Sequence, residues 1–190
     1  MISKVEARQQ FLDRRKSLSP DQINDWSSQI CDLLFSSFQF NNKSISLYLP
    51  IEKFNEVNTY YILEKALLLD IKVYLPVTNW ENKTISHILY ETPTQLSINK
   101  FGIPEPTYGK MVSIKSIDVF LVPLVIFDEK GYRIGYGQGF YDRMLTQASQ
   151  QATIIGISFF EAVKEILIDS TDIPLHYCIT PNKLYRFENE

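Results

Sequence analysis

Residues whose chemistry could serve a reaction concentrate between positions 131 and 145, in the run GYRIGYGQGFYDRML. Four of the seven glycines of the chain fall in this run, with Arg133 among them and Asp142 just beyond. Such a cluster indicates a backbone that needs positive φ or that must approach another group closely. A glycine-rich turn before a helix also presents main-chain N–H groups to a phosphate. The run therefore predicts a phosphate site, although a tight strand-to-helix turn explains the glycines equally well.

The residues around these glycines point to charge as the main chemistry. The glycine spacing matches neither the dinucleotide fingerprint nor the P-loop. Arg133 is suited to a charge-assisted bond with phosphate. Asp142 is a candidate Mg²⁺ ligand, although an aspartate in a first helical turn also favours the helix dipole without any metal.

Two further places in the chain carry charges at useful spacing. Lys4 and Arg8 are four residues apart on a predicted helix, so they share one face. They are either a cationic pair over a polyphosphate or an ordinary solvated face. Glu56 stands between a strand and a helix, where it either binds donor groups of an amide-rich heterocycle or compensates a helix dipole.

The elements that must position these residues follow from periodicity and turn signals. Ser19, Pro20 and Gln22 form a predicted N-cap, first turn and capping box. The patterns predict helices over 3–16, from 20 onward, and over 57–69, 140–150 and 160–168; strands over 44–49, 71–77, 83–90, 117–127, 152–159 and 177–180; and an irregular segment over 92–111 with a tight turn at FGIPEP.

This alternation is typical of an α/β protein with a mostly parallel sheet that is covered on both faces. We expect one three-layer αβα domain over residues 1–190, Rossmann-like in architecture. Ligands of such sheets bind beyond the carboxyl ends of the strands. Because Glu56 and the glycine run each follow a strand, we expect both at that edge.

Composition excludes several classes of function. The net charge of −3 argues against a nucleic-acid binder, and no apolar run reaches the 18 residues of a membrane span. Two cysteines make no disulfide framework, and their spacing to the two histidines makes no zinc site. With no signal peptide, we expect a cytoplasmic protein and a monomer, in which a hard cation held by carboxylates remains open.

Taken together, these motifs resemble those of the 5-formyltetrahydrofolate cyclo-ligases, also called methenyltetrahydrofolate synthetases. The resemblance rests on GYRIGYGQGFYDRML and on five further matches in order: the Lys4–Arg8 pair with its arginine-rich continuation, EVNT at 56–59, FGIPEP at 101–106, IDVFLVPLVIFD at 117–128 and TDIPLHYCIT at 171–180.

The resemblance implies a reaction and a set of site residues. The family converts ATP and 5-formyltetrahydrofolate into 5,10-methenyltetrahydrofolate, ADP and phosphate, with Mg²⁺. It implies that Lys4, Arg8 and Arg133 are catalytic and that Asp142 and Asp172 hold Mg²⁺. It also implies ATP contacts from Lys4, Val5, Glu6, Ala7, Arg8, Arg133, Ile134, Gly135, Tyr136, Gly137, Gln138, Gly139, Phe140 and Tyr141. The folate contacts that it implies are Arg8, Ile51, Glu56, Tyr136, Gly137, Gln138, Gly139 and Phe140.

Two other classes of function fit the residues alone. One is a non-catalytic α/β domain that binds a nucleotide or sugar phosphate and regulates a partner. The other is an isomerase or transferase acting on a phosphorylated sugar or a CoA ester, with Glu56 as its base.

Overall fold

The computed structural model describes residues 3–188, with four α-helices and twelve strands in this part of the chain. The helices are α1 (Lys4–Lys16), α2 (Pro20–Ser37), α3 (Tyr60–Leu68) and α4 (Phe140–Leu145). The strands are β1 (Ser44–Leu47), β2 (Lys72–Asn79), β3 (Thr84–Leu89), β4 (Leu96–Ile98), β5 (Pro104–Pro106), β6 (Met111–Val112), β7 (Val119–Val122), β8 (Ile126–Phe127), β9 (Arg133–Ile134), β10 (Thr153–Ile157), β11 (Tyr177–Ile179) and β12 (Leu184–Arg186).

Eight of these strands form one sheet in the order β12-β11-β10-β7-β1-β2-β3-β6. Five central strands, β11, β10, β7, β1 and β2, run parallel to one another. The edge strands β12, β3 and β6 pair antiparallel. The expectation of an α/β fold with a mostly parallel sheet is confirmed. From β1 the chain continues to β2 on one side and later reaches β7 on the other, so strand order reverses between β1 and β7. Such a reversal is where doubly wound sheets open a crevice.

Layers of helix and loop cover the sheet on both faces because alternate residues of its strands are buried on opposite sides. Val119 and Leu121 of β7 join the core under α1, α2 and α3. Phe120 and Val122 join a second core under α4. The third layer is thin, since α4 has only six residues and irregular segments complete that face.

Serine caps begin the first two helices; the cap predicted at Ser19 is confirmed, and the cap at Ser3 was not predicted. Ser3 and Ser19 each accept a hydrogen bond from the backbone of the third helical residue, and Glu6 and Gln22 return the bond to the cap. These are complete capping boxes. The cap at Ser3 fixes where α1 starts, and with it the positions of Lys4 and Arg8. No helix in residues 3–188 is both long enough and apolar enough to cross a bilayer.

The predicted strand over 117–127 is wrong as a single element. It divides into β7, which lies in the main sheet, and β8, which forms a hairpin with β9. Pro123 follows β7 directly and offers no N–H to a ladder, so pairing ends there. The glycine run therefore begins within this hairpin, since it contains β9, and does not follow the sheet strand directly.

The predicted helix over 160–168 is also wrong, and the segment is irregular. Phe160 is buried against Phe11 of α1 at 5.5 Å between ring centroids. Val163 exchanges backbone hydrogen bonds with Phe127 and Glu129. Tertiary pairing thus replaces the hydrogen bonds that a helix would have made, overriding a weak local preference.

Smaller differences concern the ends of elements and several missed strands. The segment 92–111, expected to be irregular, contains the β4–β5 hairpin and β6. Sequence reasoning also missed β12. The helices expected over 57–69 and 140–150 are shorter, at Tyr60–Leu68 and Phe140–Leu145.

Candidate active site

A cavity of about 1110 Å³ opens where strand order reverses, at the carboxyl ends of β1 and β7. Tyr48 and Leu49 follow β1 and Pro123 follows β7, and all three line it. The cavity also receives α1, the glycine run and the β4–β5 hairpin. The structure therefore brings together segments that are far apart in the sequence, at the edge where ligands of parallel sheets bind.

Helix α1 presents two cations to the cavity. Lys4 and Arg8 both line it, one helical turn apart. The three residues between them do not: Val5 is 71% exposed, Glu6 serves the capping box, and Ala7 is buried in the core. Of the stretch 4–8 for which the resemblance implies ATP contacts, only the two cations face the cavity, as the helical period requires.

The glycine run packs directly against the guanidinium of Arg8. Its Nε donates a 2.8 Å hydrogen bond to the carbonyl of Gly135. Gly137 has φ +91° and lies so close that a Cβ there would be 3.2 Å from Nη2 of Arg8. Only glycine combines this φ with this approach. Gly135, by contrast, has open space where a Cβ would point, and it also lines the cavity.

Arg133 is buried and is already occupied by protein groups. Its Nη2 lies 2.7 Å from a carboxylate oxygen of Asp142, and its Nη1 donates to the carbonyl of Ile173. Asp142 accepts a further bond from the amide of Ile173. This arrangement joins the start of α4 to the segment before β11. Arg133 therefore reaches the cavity as a partner of Asp142.

Lys4 pairs with two aspartates from the other end of the chain. Its ammonium lies 2.6 Å from Asp169 and 2.5 Å from Asp172. Burial works to lower the pKa of Lys4, but the bonds to both carboxylates outweigh it and the pKa is raised. Lys4 stays fully charged at neutral pH. The predicted residue Asp172 thus lies in the same cavity as Asp142, Lys4 and Arg8.

The two predicted metal ligands have a donor set that fits Mg²⁺ bound together with phosphate. In the described part of the chain, both hydrogen bonds to Asp142 fall on Oδ1 and both bonds to Asp172 fall on Oδ2. Each carboxylate thus has one oxygen that accepts no hydrogen bond from residues 3–188. No cluster of three or more metal-binding side chains occurs in residues 3–188. This fits a metal that one or two carboxylates share with a nucleotide, the usual mode for Mg²⁺.

Glu56 forms the floor of a second part of the cavity. It is 5% exposed, and its two oxygens accept bonds from the Ile51 amide, at 2.7 Å, and from the Tyr136 hydroxyl. Burial raises the pKa of Glu56, and the positive charge of Arg15 and these hydrogen bonds oppose the rise. Ile51, Glu56 and Tyr136, all predicted folate contacts, thus lie together. A carboxylate in such a place can accept bonds from the N–H groups of a flat heterocycle.

Three aromatic residues that sequence reasoning did not assign line the cavity, namely Phe54, Trp80 and Phe101. Phe54 stacks on Tyr136 with centroids 5.2 Å apart. Trp80 lies 3.8 Å from Phe101 and 5.0 Å from Phe140, again between ring centroids. The indole N–H of Trp80 is buried without a partner in residues 3–188 and offers a donor to a ligand. The FGIPEP motif was the available signal, since its turn carries Phe101 into the cavity.

The sequence profile of the "5-formyltetrahydrofolate cyclo-ligase family" matches residues 1–181. The chain belongs to this family. The 5-formyltetrahydrofolate cyclo-ligase of Escherichia coli K12 is 27% identical over 180 residues, covering 92% of this chain and 98% of the relative. The Mycoplasma pneumoniae cyclo-ligase is 32% identical, covering 94% and 98%.

Solved structures agree with this membership. The NMR structure of Aquifex aeolicus 5,10-methenyltetrahydrofolate synthetase has a TM-score of 0.84 to this chain at 30% identity, covering 98% of this chain and 94% of that one. The Mycoplasma pneumoniae synthetase structure has a TM-score of 0.77 at 29% identity, covering 95% and 99%. The resemblance inferred from the motifs is confirmed at the level of family and fold.

Proposed function

We propose that this cyclo-ligase family member converts 5-formyltetrahydrofolate into 5,10-methenyltetrahydrofolate at the expense of ATP, releasing ADP and phosphate. The observation that carries the proposal is a single cavity whose lining joins the α1 cations, the glycine run and the Glu56 pocket. Two ligands that must react with each other need one continuous site of this kind.

The charges of the cavity suit one ligand in each of its parts. Lys4, Arg8 and Arg133 lie with Asp142 and Asp172, where the phosphates of ATP and a metal would be bound. The glycine run adds main-chain amides beside Arg8. The Glu56 part has aromatic walls and a buried acceptor, which suit the flat pteridine ring of a reduced folate. Gly137 and Tyr136 lie between the two, within reach of both ligands.

The chemistry explains why ATP is consumed. The oxygen of a formamide is a poor leaving group, so the ring cannot close at N10 until that oxygen is activated. The formyl oxygen attacks the γ-phosphorus in line and ADP departs. N10 then adds to the resulting iminium carbon and loses its proton, and the C–O bond breaks so that the oxygen leaves as phosphate, which takes up that proton. No protein nucleophile is needed, and neither Cys31 nor Cys178 lines the cavity.

The protein's part in this reaction is positioning and electrostatic stabilisation. Lys4, Arg8 and Arg133 offset the negative charge that spreads over the transferring phosphoryl group. Asp142 and Asp172 are the proposed Mg²⁺ ligands. When bound, the metal neutralises phosphate charge and orients the terminal phosphate. Glu56 and Ile51 fix the pteridine so that its formyl group faces the phosphate.

The remaining expectations join this proposal. We take residues 1–190 as one catalytic domain acting as a monomer in the cytoplasm, with ATP and the reduced folate as its only partners. The two free cysteines are buried, which suits a reducing compartment. The binding of nucleic acid or membrane plays no part in the proposed activity.

The direct test is to mix protein, ATP, Mg²⁺ and 5-formyltetrahydrofolate and to follow the absorbance of the methenyl product. We expect product to grow only when all components are present. Growth without ATP, or none in the complete mixture, contradicts the proposal.

Gly135→Ala sharpens this test because its methyl group would meet a ligand and no protein atom within 4 Å. We expect an unchanged Tm and a loss of kcat/KM of roughly 10- to 100-fold, since misplacement by about 1 Å can cost that much. Gly156→Ala is the matched control, because its methyl group would meet Leu175 and Leu124 in the core. That variant should lose stability instead. Full activity in Gly135→Ala would remove the glycine run from the site.

A further inference from the structure

Arg15 is a buried cation on the inner face of α1 that the proposed reaction does not use. It is 5% exposed and does not line the cavity. Its Nη2 donates a 2.6 Å bond to the carbonyl of Leu124, and its Nη1 donates a 3.0 Å bond to the hydroxyl of Tyr136. In residues 3–188, no carboxylate lies within ion-pair distance of it. Burying an unpaired guanidinium is expensive, so its charge should serve a neighbour.

That neighbour is Glu56, which is connected to Arg15 through the hydroxyl of Tyr136. The Tyr136 hydroxyl accepts a hydrogen bond from Arg15 and donates a hydrogen bond to Glu56. The ring of Tyr136 is fixed by stacking on Phe54, and the second oxygen of Glu56 is fixed by the Ile51 amide. A buried cation and a buried carboxylate are thus joined through one phenol. Only the phenol and the carboxylate face the cavity.

We propose that Arg15 is a positioning residue for the folate, which through Tyr136 keeps Glu56 ionised and oriented to accept hydrogen bonds from the N–H groups of the pteridine. The inference rests on the proposed function, because it takes the reduced folate as the ligand of Glu56. Arg15 itself touches neither substrate.

The electrostatics around Glu56 support this role. Burial raises the pKa of Glu56, and the charge of Arg15 is the strongest influence that opposes it. The other titratable groups nearby are Tyr136 of the glycine run, Tyr48 after β1 and Tyr141 of α4. Burial raises the pKa of each tyrosine, so all three are neutral at working pH. Arg15 is therefore the counter-charge that keeps the carboxyl from taking up a proton, which would turn an acceptor into a donor.

A purely structural role is the rival explanation. Arg8 and Arg15 lie two turns apart on α1 and bond to consecutive residues, Gly135 and Tyr136. Under this explanation, the sole role of Arg15 is to hold the glycine run against α1. A fastener would affect ATP and folate alike, whereas a counter-charge for Glu56 affects the folate and its pH dependence. The test must separate these two outcomes.

The experiment measures kcat and both KM values in Arg15→Gln, Arg15→Lys and Tyr136→Phe between pH 5 and 9. For Arg15→Gln we expect the KM for 5-formyltetrahydrofolate to rise at least ten-fold at neutral pH and the KM for ATP to stay within two-fold. The pH at which folate binding is half lost should move up by one unit or more. Tyr136→Phe should move it the same way by less, and Arg15→Lys should restore part of the loss.

Arg14→Gln is the matched control. It removes the same charge from the neighbouring position, where the guanidinium lies over the rings of Phe11 and Phe160. Arg14 is not among the groups that act on the pKa of Glu56. We expect its folate KM and pH profile to equal those of the wild type. If Arg14→Gln shifts the profile as Arg15→Gln does, net charge is responsible and the proposal is overturned.

Two further outcomes decide the question. Equal rises in both KM values, or a lower Tm with unchanged pH profile, would overturn the proposal in favour of a fastener. If Arg15→Gln does not fold, the deciding experiment is Tyr136→Phe in a Glu56→Gln background. We expect no further rise in the folate KM when the second substitution is added. An additive rise in that KM would overturn the inference. Wild-type turnover in the same assay tests the proposed function separately, so a failure of Arg15 cannot be confused with a failure of the reaction.

Discussion

Arg133 has two roles, and a single substitution would remove both of them. Its guanidinium faces the cavity, and it also fixes Asp142 and the carbonyl of Ile173. We expect Arg133→Ala to add about 2–4 kcal/mol to the barrier, in line with the loss of one preorganised donor. Steady-state kcat measures the effect, and a thermal melt separates it from unfolding. Turnover within a few-fold of the wild type would show that Arg133 has no catalytic role.

His87 makes the stability of the protein sensitive to acid. It is 1% exposed, lies 2.9 Å from the hydroxyl of Ser46, and burial lowers its pKa to about 4. The unfolded chain takes up this proton near the ordinary value of 6.5. Stability is therefore full above pH 6.5 and falls as the pH drops towards 4, by a term on the order of 3 kcal/mol at most.

Urea unfolding at pH 7 and at pH 4.5 measures this loss. In His87→Gln we expect a smaller drop than in the wild type. It should not vanish, because burial also lowers the pKa of His176. An equal drop in variant and wild type would show that His87 is not the group responsible.

At the scale of elements, the two capping boxes allow stability and activity to be separated. Ser19→Ala should destabilise α2 by about 1 kcal/mol and leave the kinetics unchanged. Ser3→Ala removes an equivalent cap from α1, which carries Lys4, Arg8 and Arg15. We expect a similar loss of stability together with a several-fold rise in KM for ATP. Denaturant unfolding and steady-state kinetics on both variants check this, and equal kinetic losses would contradict it.

The sequence was most informative where structure is local. Ser19, Pro20 and Gln22 predict the start of α2 because a cap needs only its own turn. The helix expected over 160–168 fails because Phe160 and Val163 are fixed by α1 and by β8, contacts that no local pattern contains. The long strand expected over 117–127 fails at Pro123.

The residues of the candidate site also differ in whether a local sequence pattern reveals them. Lys4, Arg8, Glu56 and the glycine run stand out by type and spacing, and the structure gathers them in one cavity. Arg15 could not be found from spacing, since it looks like one more residue of a basic helix. The proposed role of Arg15 follows from its hydrogen bond to Tyr136, which lies 121 residues later in the chain. Burial of a charge is a tertiary fact and leaves no mark on the local sequence.

At the scale of the whole molecule, the cavity is built from both ends of the chain. Bound nucleotide should therefore stabilise distant segments together, by about 2.7 kcal/mol at a concentration of 100 Kd. We expect MgATP to slow amide hydrogen exchange most in α1, in the glycine run and around Asp172, and to slow it less in α3. Hydrogen exchange followed by mass spectrometry measures this. Protection confined to one end of the chain would contradict it.

The Lys4–Asp172 ion pair spans 168 residues and has a consequence for synthesis. A growing polypeptide displays Lys4 long before the ribosome has made Asp172. Cellular ATP can therefore stabilise this arrangement only after the segment around Asp172 has been synthesised.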